Sequence, residues 1–560
     1  MGLLPWEPFE DPAVSWEKLN GGPLRVAVVE EERPEGVSEA DWRIQQRCKK
    51  ELKRKVPAWK TITNETVTEG HTKTRKGMLY GITFPWTEDM LHSEDWGAEW
   101  LTKAMHAAGT LPQENRVTKV IPDKKFRITT GNNGGKFLFE VEYELPDECL
   151  HTKLFAKIPH GMEKETMSDR LSSSVNKQPM ELYELNTSRL LEAEKGFRKF
   201  ASASPRGLGG HALIRYLLSA YVCMQTYLRP LDFAGKTRDD PKKRLGPYEI
   251  EGPYDKCMDW CLRADPAEYY LALVRQGGLM AGRYKAGSFG DPKLVSKHFE
   301  DMTNVPQEAF GMQSGCSGQP TNMLKSKIDM GFEFFGNVAS VLYPSFCTDP
   351  AWQESFRATL MKLNAYAAES QYFFHHNEDY ISLAHGNMNV DNAYFWRNEA
   401  GELELGVFDW GGMGARSLGF KLWWWLYCGD FEVLNANMDK YLDCLISSYA
   451  EGGGPTLDKE VLRMMFVLAS HTQMFGLLAA IGQIYRMCPK KEFANIKDRY
   501  DARVGENING KSTLRLYIQV MRTVVLIHKE WQADKIMDDF ETKIVELTGT
   551  SKKDPSTMQV

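Results

Sequence analysis

From Val117 the apolar residues recur at every second position, and beyond about residue 250 helical patterns take over. A chain patterned in that order has a sheet first and a helical body after it, which defines the α+β class. The stretches Phe126 to Thr130 and Phe137 to Leu145 alternate apolar with polar residues around Gly131-Asn132-Asn133-Gly134-Gly135. This predicts a hairpin with a glycine-rich tip. A third strand, Thr152 to Ile158, ends at Pro159. A helix is predicted from Met180 to Phe200, with Leu182, Leu185, Leu190 and Leu191 on its inner side.

Ahead of the sheet, Ser38 with Asp41 resembles a capping box that opens a charged helix running to Arg54. A second helix is predicted from Ser93, with Trp96, Trp100, Leu101, Met105 and Ala108 on its apolar face and Gly109 as its cap. The segment from Thr237 to Pro253 is polar and punctuated by Pro and Gly, which predicts a surface loop. Helices are expected over Pro266 to Lys285, Pro350 to His376, Asn435 to Glu451, Lys459 to Met487 and Ser512 to Leu547. Among them, Ala393 to Trp396 and Leu403 to Phe408 form a strand pair turning at Asn398 to Gly401. The expected divisions are an extension over 1–115, a sheet-bearing lobe over 116–235, and a connecting loop or insert over 236–253. A helical lobe over 254–548 and a tail over 549–560 complete the chain.

Composition narrows the function. The chain has 560 residues, which is long enough for more than one core. Its net charge of -6 argues against general nucleic-acid binding, which needs a basic surface. The basic runs Lys49 to Lys55 and Lys242 to Arg244 are read as solvated faces. Ten cysteines are scattered without a CxxC pair, which fits a reducing, cytoplasmic setting. The opening MGLLPWEPFEDP lacks a basic region and an apolar run, so no secretory signal is expected. The most apolar stretch, Phe466 to Met487, is interrupted by His471, Gln473 and Gln483 and reads as a buried helix, so no membrane span is expected.

The run His385-Gly386-Asn387-Met388-Asn389-Val390-Asp391-Asn392-Ala393-Tyr394-Phe395, followed by Gly406-Val407-Phe408-Asp409-Trp410-Gly411, carries the chemistry. It resembles the aminoglycoside phosphotransferase and choline-kinase-like superfamily, particularly its ecdysteroid-kinase-like branch. That family places HGDxxxxN on a catalytic loop and follows it with an apolar strand that ends in Asp and an aromatic residue. His385, Gly386, Asn392 and Asp409 match. The resemblance implies a two-lobe protein-kinase-like fold and an ATP- and Mg²⁺-dependent phosphotransferase acting on a hydroxyl of a small molecule. It also implies that Asn392 and Asp409 are the metal ligands, and oxygen donors of this kind are what a hard cation takes beside a triphosphate.

Upstream, Leu154-Phe155-Ala156-Lys157-Ile158-Pro159 looks like the family's third strand, whose Lys reaches the nucleotide phosphates. Either Glu181 or Glu184 would hold Lys157. Gly131, Gly134 and Gly135 would then be a phosphate-facing tip, although such a tip is more often a plain hairpin turn. The group His375-His376-Asn377-Glu378-Asp379 reads as a polar helix end, and Trp423-Trp424-Trp425 as core packing.

Asn387 departs from the family, which has its catalytic Asp there. Asn has nearly the shape of Asp but takes no proton and carries no charge. One account is a slow phosphotransferase in which the Asn387 carbonyl orients the acceptor hydroxyl, with His385 and Asp391 beside it. Asp391 is the nearest carboxylate. A second account is a pseudokinase with a regulatory or scaffolding role, its extension over 1–115 offered to a protein partner. A third is a structural subunit of a larger assembly.

Overall fold

The computed structural model describes 250–296, 318–398, 400–407, 409–505 and 513–549 almost throughout. Of the earlier chain it describes chiefly 81–84, 88–94, 96–107, 110–122, 135–147, 152–158, 217–219 and 222–226. The expected capping box at Ser38, the strand at Phe126 to Thr130, the glycine tip at Gly131 and Gly134, and both Glu181 and Glu184 lie outside the described residues; of the helix expected over Met180 to Phe200, Thr187 and Leu190 are described, helical and buried. Over what is described, the fold is α+β and mostly helical.

Five antiparallel strands form the first sheet: β1 (Val117–Pro122), β2 (Gly135–Tyr143), β3 (Lys153–Ile158), β4 (Leu217–Ser219) and β5 (Val222–Thr226). Their spatial order is β1-β2-β3-β5-β4. Val117 to Pro122 therefore pairs with β2, with Val120 opposite Val141. Period-two alternation lets Phe139, Val141, Leu154 and Ala156 bury one face against Trp100, Leu101 and Met105 of helix α1 (Gly97–Ala107). The helix starts later than Ser93, because a short separate turn, Glu88–His92, precedes it. Thr102 ties it to the sheet edge, its Oγ1 accepting from the Val117 N–H at 2.9 Å.

The body that follows has its own core. Strand β6 (Ile250–Glu251) corrects the expected loop over 237–253, since its last residues pair with a later strand and bury Glu251. Helix α2 (Pro266–Lys285) begins as its sequence dictates. The Asp265 side chain accepts from the Ala267 N–H at 3.0 Å, and Pro266 occupies the first turn. Helix α3 (Thr321–Glu333) lies between stretches that sequence periodicity had marked. Helix α4 (Pro350–Ala365) is capped by Asp349 in the same way as α2 and gives way at Tyr366 to α5 (Ala367–His375).

Four strands then form two pairs: β7 (Ile381–Ala384), β8 (Ala393–Arg397), β9 (Leu403–Val407) and β10 (Gly414–Ser417). The chain closes with α6 (Leu418–Leu426), α7 (Phe431–Glu451), α8 (Lys459–Ala479), α9 (Thr513–Glu530) and α10 (Ala533–Thr548). The expected helix over Lys459 to Met487 breaks at Ala480. That over Ser512 to Leu547 breaks at Gln532, whose φ of 52° is left-handed. Trp423 and Trp425 are fully buried in this core, as expected, while Trp424 is half-buried. Among the described residues one helix, α8, is long and apolar enough to cross a membrane, and 72% of its most apolar window is buried inside the protein.

Candidate functional site

The pairing of the four central strands puts two loops side by side. β8 pairs antiparallel with β9, setting Ala393 opposite Val407. β7 pairs antiparallel with β10, setting Ala384 opposite Gly414. Loop 385–392 and the stretch from Asp409 to Met413 (loop 409–413) therefore run between the same two strand pairs. The backbones also touch between the clamps: a Cβ on Gly386 would lie 2.7 Å from the Gly412 carbonyl oxygen, a separation that only glycine tolerates here.

Loop 385–392 is folded tightly on itself. The Asn387 carbonyl accepts from the Asn389 N–H at 3.1 Å, and the Asn389 carbonyl accepts from the Asn392 N–H at 2.9 Å. The Asn392 side chain also turns inward, its Nδ2 donating to the Asn387 carbonyl at 2.8 Å. A carbonyl only accepts, so Nδ2 is the inward atom and Oδ1 is the one left for a ligand. His385 is fully buried. Its Nδ1 accepts from the Asn387 N–H at 3.0 Å, and its ring meets Trp410 edge-on with centroids 4.9 Å apart. It shapes the loop from within the core.

Support comes from beneath. Trp425 of α6 donates its indole N–H to the His385 carbonyl at 3.3 Å. Gly277 of α2 leaves room for that indole, since a Cβ there would lie 2.4 Å from its ring. Lys421, also on α6, donates to the Gly386 carbonyl at 3.0 Å. Burial, with the nearby Arg416 charge adding to it, pulls the Lys421 ammonium down to about 7. At the far end, Asp391 forms an ion pair with Lys256 at 3.1 Å. Burial works against the Lys256 charge, but Asp391, with Cys428 and Cys257 adding to it, holds the ammonium above its ordinary value. The Asp391 carboxylate is thus drawn toward the segment after β6.

Loop 409–413 carries Asp409 in the left-handed backbone region, with φ 69° and ψ 56°. Asp tolerates that conformation better than most residues. The half-buried carboxylate opens a short turn, Trp410–Gly412. With Asn392 it supplies two oxygen-donor side chains from adjacent loops. Among the described residues no group of three or more His, Cys, Asp and Glu side chains could hold a metal unaided. Two protein oxygens completed by phosphates and water are, however, the usual setting for Mg²⁺.

The structure thus brings together His385, Asn387, Asp391, Asn392 and Asp409. Lys157 and Gly135 stand on the five-stranded sheet, Lys157 in register with Lys136 and Cys223 and Gly135 opposite Ile158. Two residues for which the sequence suggests no role also contact loop 385–392 from within and below: Asn389 and Lys421. A charged residue inside the apolar run from Leu418 to Leu426 was the available signal for Lys421. No protein-family model matches this chain, and no curated protein matches it either.

Proposed function

We propose that the paired loops are the nucleotide and metal site of an ATP- and Mg²⁺-dependent phosphotransferase acting on a hydroxyl of a small molecule, within a two-lobe protein-kinase-like fold. The observation that carries this reading is the double clamp. It sets the Asn392 amide and the Asp409 carboxylate on adjoining loops, with the Asn392 oxygen turned away from its own backbone. Phosphoryl transfer asks for such positioned oxygens more than for covalent chemistry. Asn392 and Asp409 would hold Mg²⁺, which supplies charge neutralisation beside the phosphates when bound. Lys157 would serve the phosphates from the sheet, steadied by Glu181 or Glu184.

A second reading, the pseudokinase, is favoured by one observation. The Asn387 side-chain oxygen accepts from the buried Asn389 Nδ2 at 2.5 Å, so the oxygen that would orient an acceptor hydroxyl is turned into the loop. The phosphotransferase reading requires nucleotide binding, whereas a pseudokinase either binds nucleotide or keeps only the fold. A ligand present at about 100 times its dissociation constant stabilises the fold by about 2.7 kcal/mol. MgATP is therefore expected to raise the melting temperature of the wild type, and Asp409→Ala is expected to abolish that rise. An equal rise in Asp409→Ala would remove Asp409 from the site, and no rise in the wild type would favour the structural subunit.

A further inference from the structure

The amide of Asn387 has a determined orientation, and its neighbours determine it. Asn389 Nδ2 donates both to Asn387 Oδ1 and to the backbone carbonyl of Trp424, at 3.2 Å. A backbone carbonyl cannot donate, so the Asn389 atom at that position is nitrogen. The Asn387 atom meeting the same nitrogen must accept, so it is oxygen. The Asn387 Nδ2 is consequently the atom turned outward. It makes no hydrogen bond to the described residues and is not sealed in the interior. Within 385–390 only Gly386 and Asn387 escape full burial.

The lock is held at a cost. Asn389 is fully buried, and its own Oδ1 has no hydrogen-bond partner among the described residues. An orphaned buried acceptor of this kind is destabilising, because it loses its water without gaining a partner. Asn389 thus gives up one hydrogen bond while fixing the Asn387 amide with its donor side outward.

The surroundings favour an anion at that donor. Lys421 is buried with its Nζ on the Gly386 carbonyl, one residue from Asn387, and it forms no ion pair among the described residues. Arg416 is buried nearby. On the other side, the Asn387 carbonyl is the acceptor for Asn392, one of the two oxygen donors proposed for the metal. Anionic oxygens bound by a metal on Asn392 would lie close to Asn387.

We infer that Asn387 presents its amide N–H as a donor to a phosphate oxygen of the bound nucleotide, in place of the proton acceptor that a hydroxyl-activating site requires. This rests on the nucleotide reading above and deepens it. The position contributes to holding a polyphosphate, with Asn389 as its positioning residue and Lys421, in its protonated form, adding positive potential from behind. Asn387→Asp would turn the outward donor into a charged acceptor facing like charge, with little change in volume.

The test is calorimetric titration of the full chain with MgATP and, separately, with adenosine. From the wild type to Asn387→Asp, MgATP affinity is expected to fall by about tenfold or more, because a hydrogen bond to a charged group is lost and a like charge takes its place. Adenosine affinity is expected to hold within about twofold. Asn387→Ala, which removes the donor without adding charge, should lie between the two and serves if the Asp variant does not fold. MgATP binding as tight in both variants as in the wild type would overturn the donor role while leaving the nucleotide site standing. A wild type that binds neither MgATP nor adenosine would overturn the nucleotide reading, and the donor role with it.

Discussion

The two loops of the site lie side by side and are held differently. Loop 385–392 is held by side chains from below and within: Trp425 and Lys421 reach up to its carbonyls, and Asn389, His385 and Asn392 bond inside it. The stretch from Asp409 to Met413 shows a different signature, in its backbone. Asp409 sits in the left-handed region, Gly412 lies against Gly386, and one buried ring, Trp410, packs on His385. The amide loop therefore draws on side chains of the helical core, and the carboxylate loop opens on a left-handed residue. Substitutions in the core should reach the first loop, and backbone-sensitive substitutions should reach the second.

The largest effect is expected at Trp425. Trp425→Ala removes a fully buried indole and the donor on the His385 carbonyl. It is expected to cost about 3–5 kcal/mol in chemical denaturation, as large-to-small core changes do. A loss below about 1 kcal/mol would show that loop 385–392 does not rest on α6 and would break the contrast.

Next comes the pH response of Lys421. Burial has lowered its folded pKa to about 7, against an ordinary 10.5. The unfolded chain therefore holds more protons between those values, and stability contributed by this group rises with pH across that window. Below about pH 7 the folded protein carries the full cost of the buried charge. The stability difference between wild type and Lys421→Met is expected to shift in favour of the wild type from pH 7 to 9, by up to about 1.4 kcal/mol per pH unit. A difference that stays flat over that range would mean that Lys421 keeps its charge in the fold.

The smallest effect sharpens the other side of the comparison. Asp409→Gly and Asp409→Ala both remove the carboxylate, so their difference isolates the backbone. Glycine adopts positive φ without penalty, and alanine does not. The Gly variant is expected to be the more stable by about 1 kcal/mol in urea melts. Equal stability would place the control of that loop elsewhere.

The sequence carried some of this plainly and some not at all. Asp265-Pro266 and the β8–β9 turn at Asn398 to Gly401 are local signals, and both elements form where expected. Strands β7 and β10 escaped because they are short and buried, and each pairs with a partner far along the chain, so no periodicity announces them. The breaks at Tyr366, Ala480 and Gln532 carry no Pro or Gly at the break itself, and the apolar spacing continues across them. That the loops of Asn392 and Asp409 lie side by side was legible from the strand pair expected between them. The orientation of the Asn387 amide was not, because a backbone carbonyl on α6 fixes it through Asn389.

The strand pairing has a consequence for how the site comes into being. β8 with β9 is a hairpin nested inside the outer pair of β7 with β10, so the two loops are the opposing sides of one internal bulge, as in a folded-back ribbon. Closing the inner hairpin costs the least chain entropy, and the outer pair closes only after it. Until the outer pair closes, the two loops are ends without a common frame, so neither acquires its shape alone. Opening Ile381–Ala384 from Gly414–Ser417 would dissolve both sides of the site in one event. Amide exchange across those strands should then report on the existence of the site as a whole.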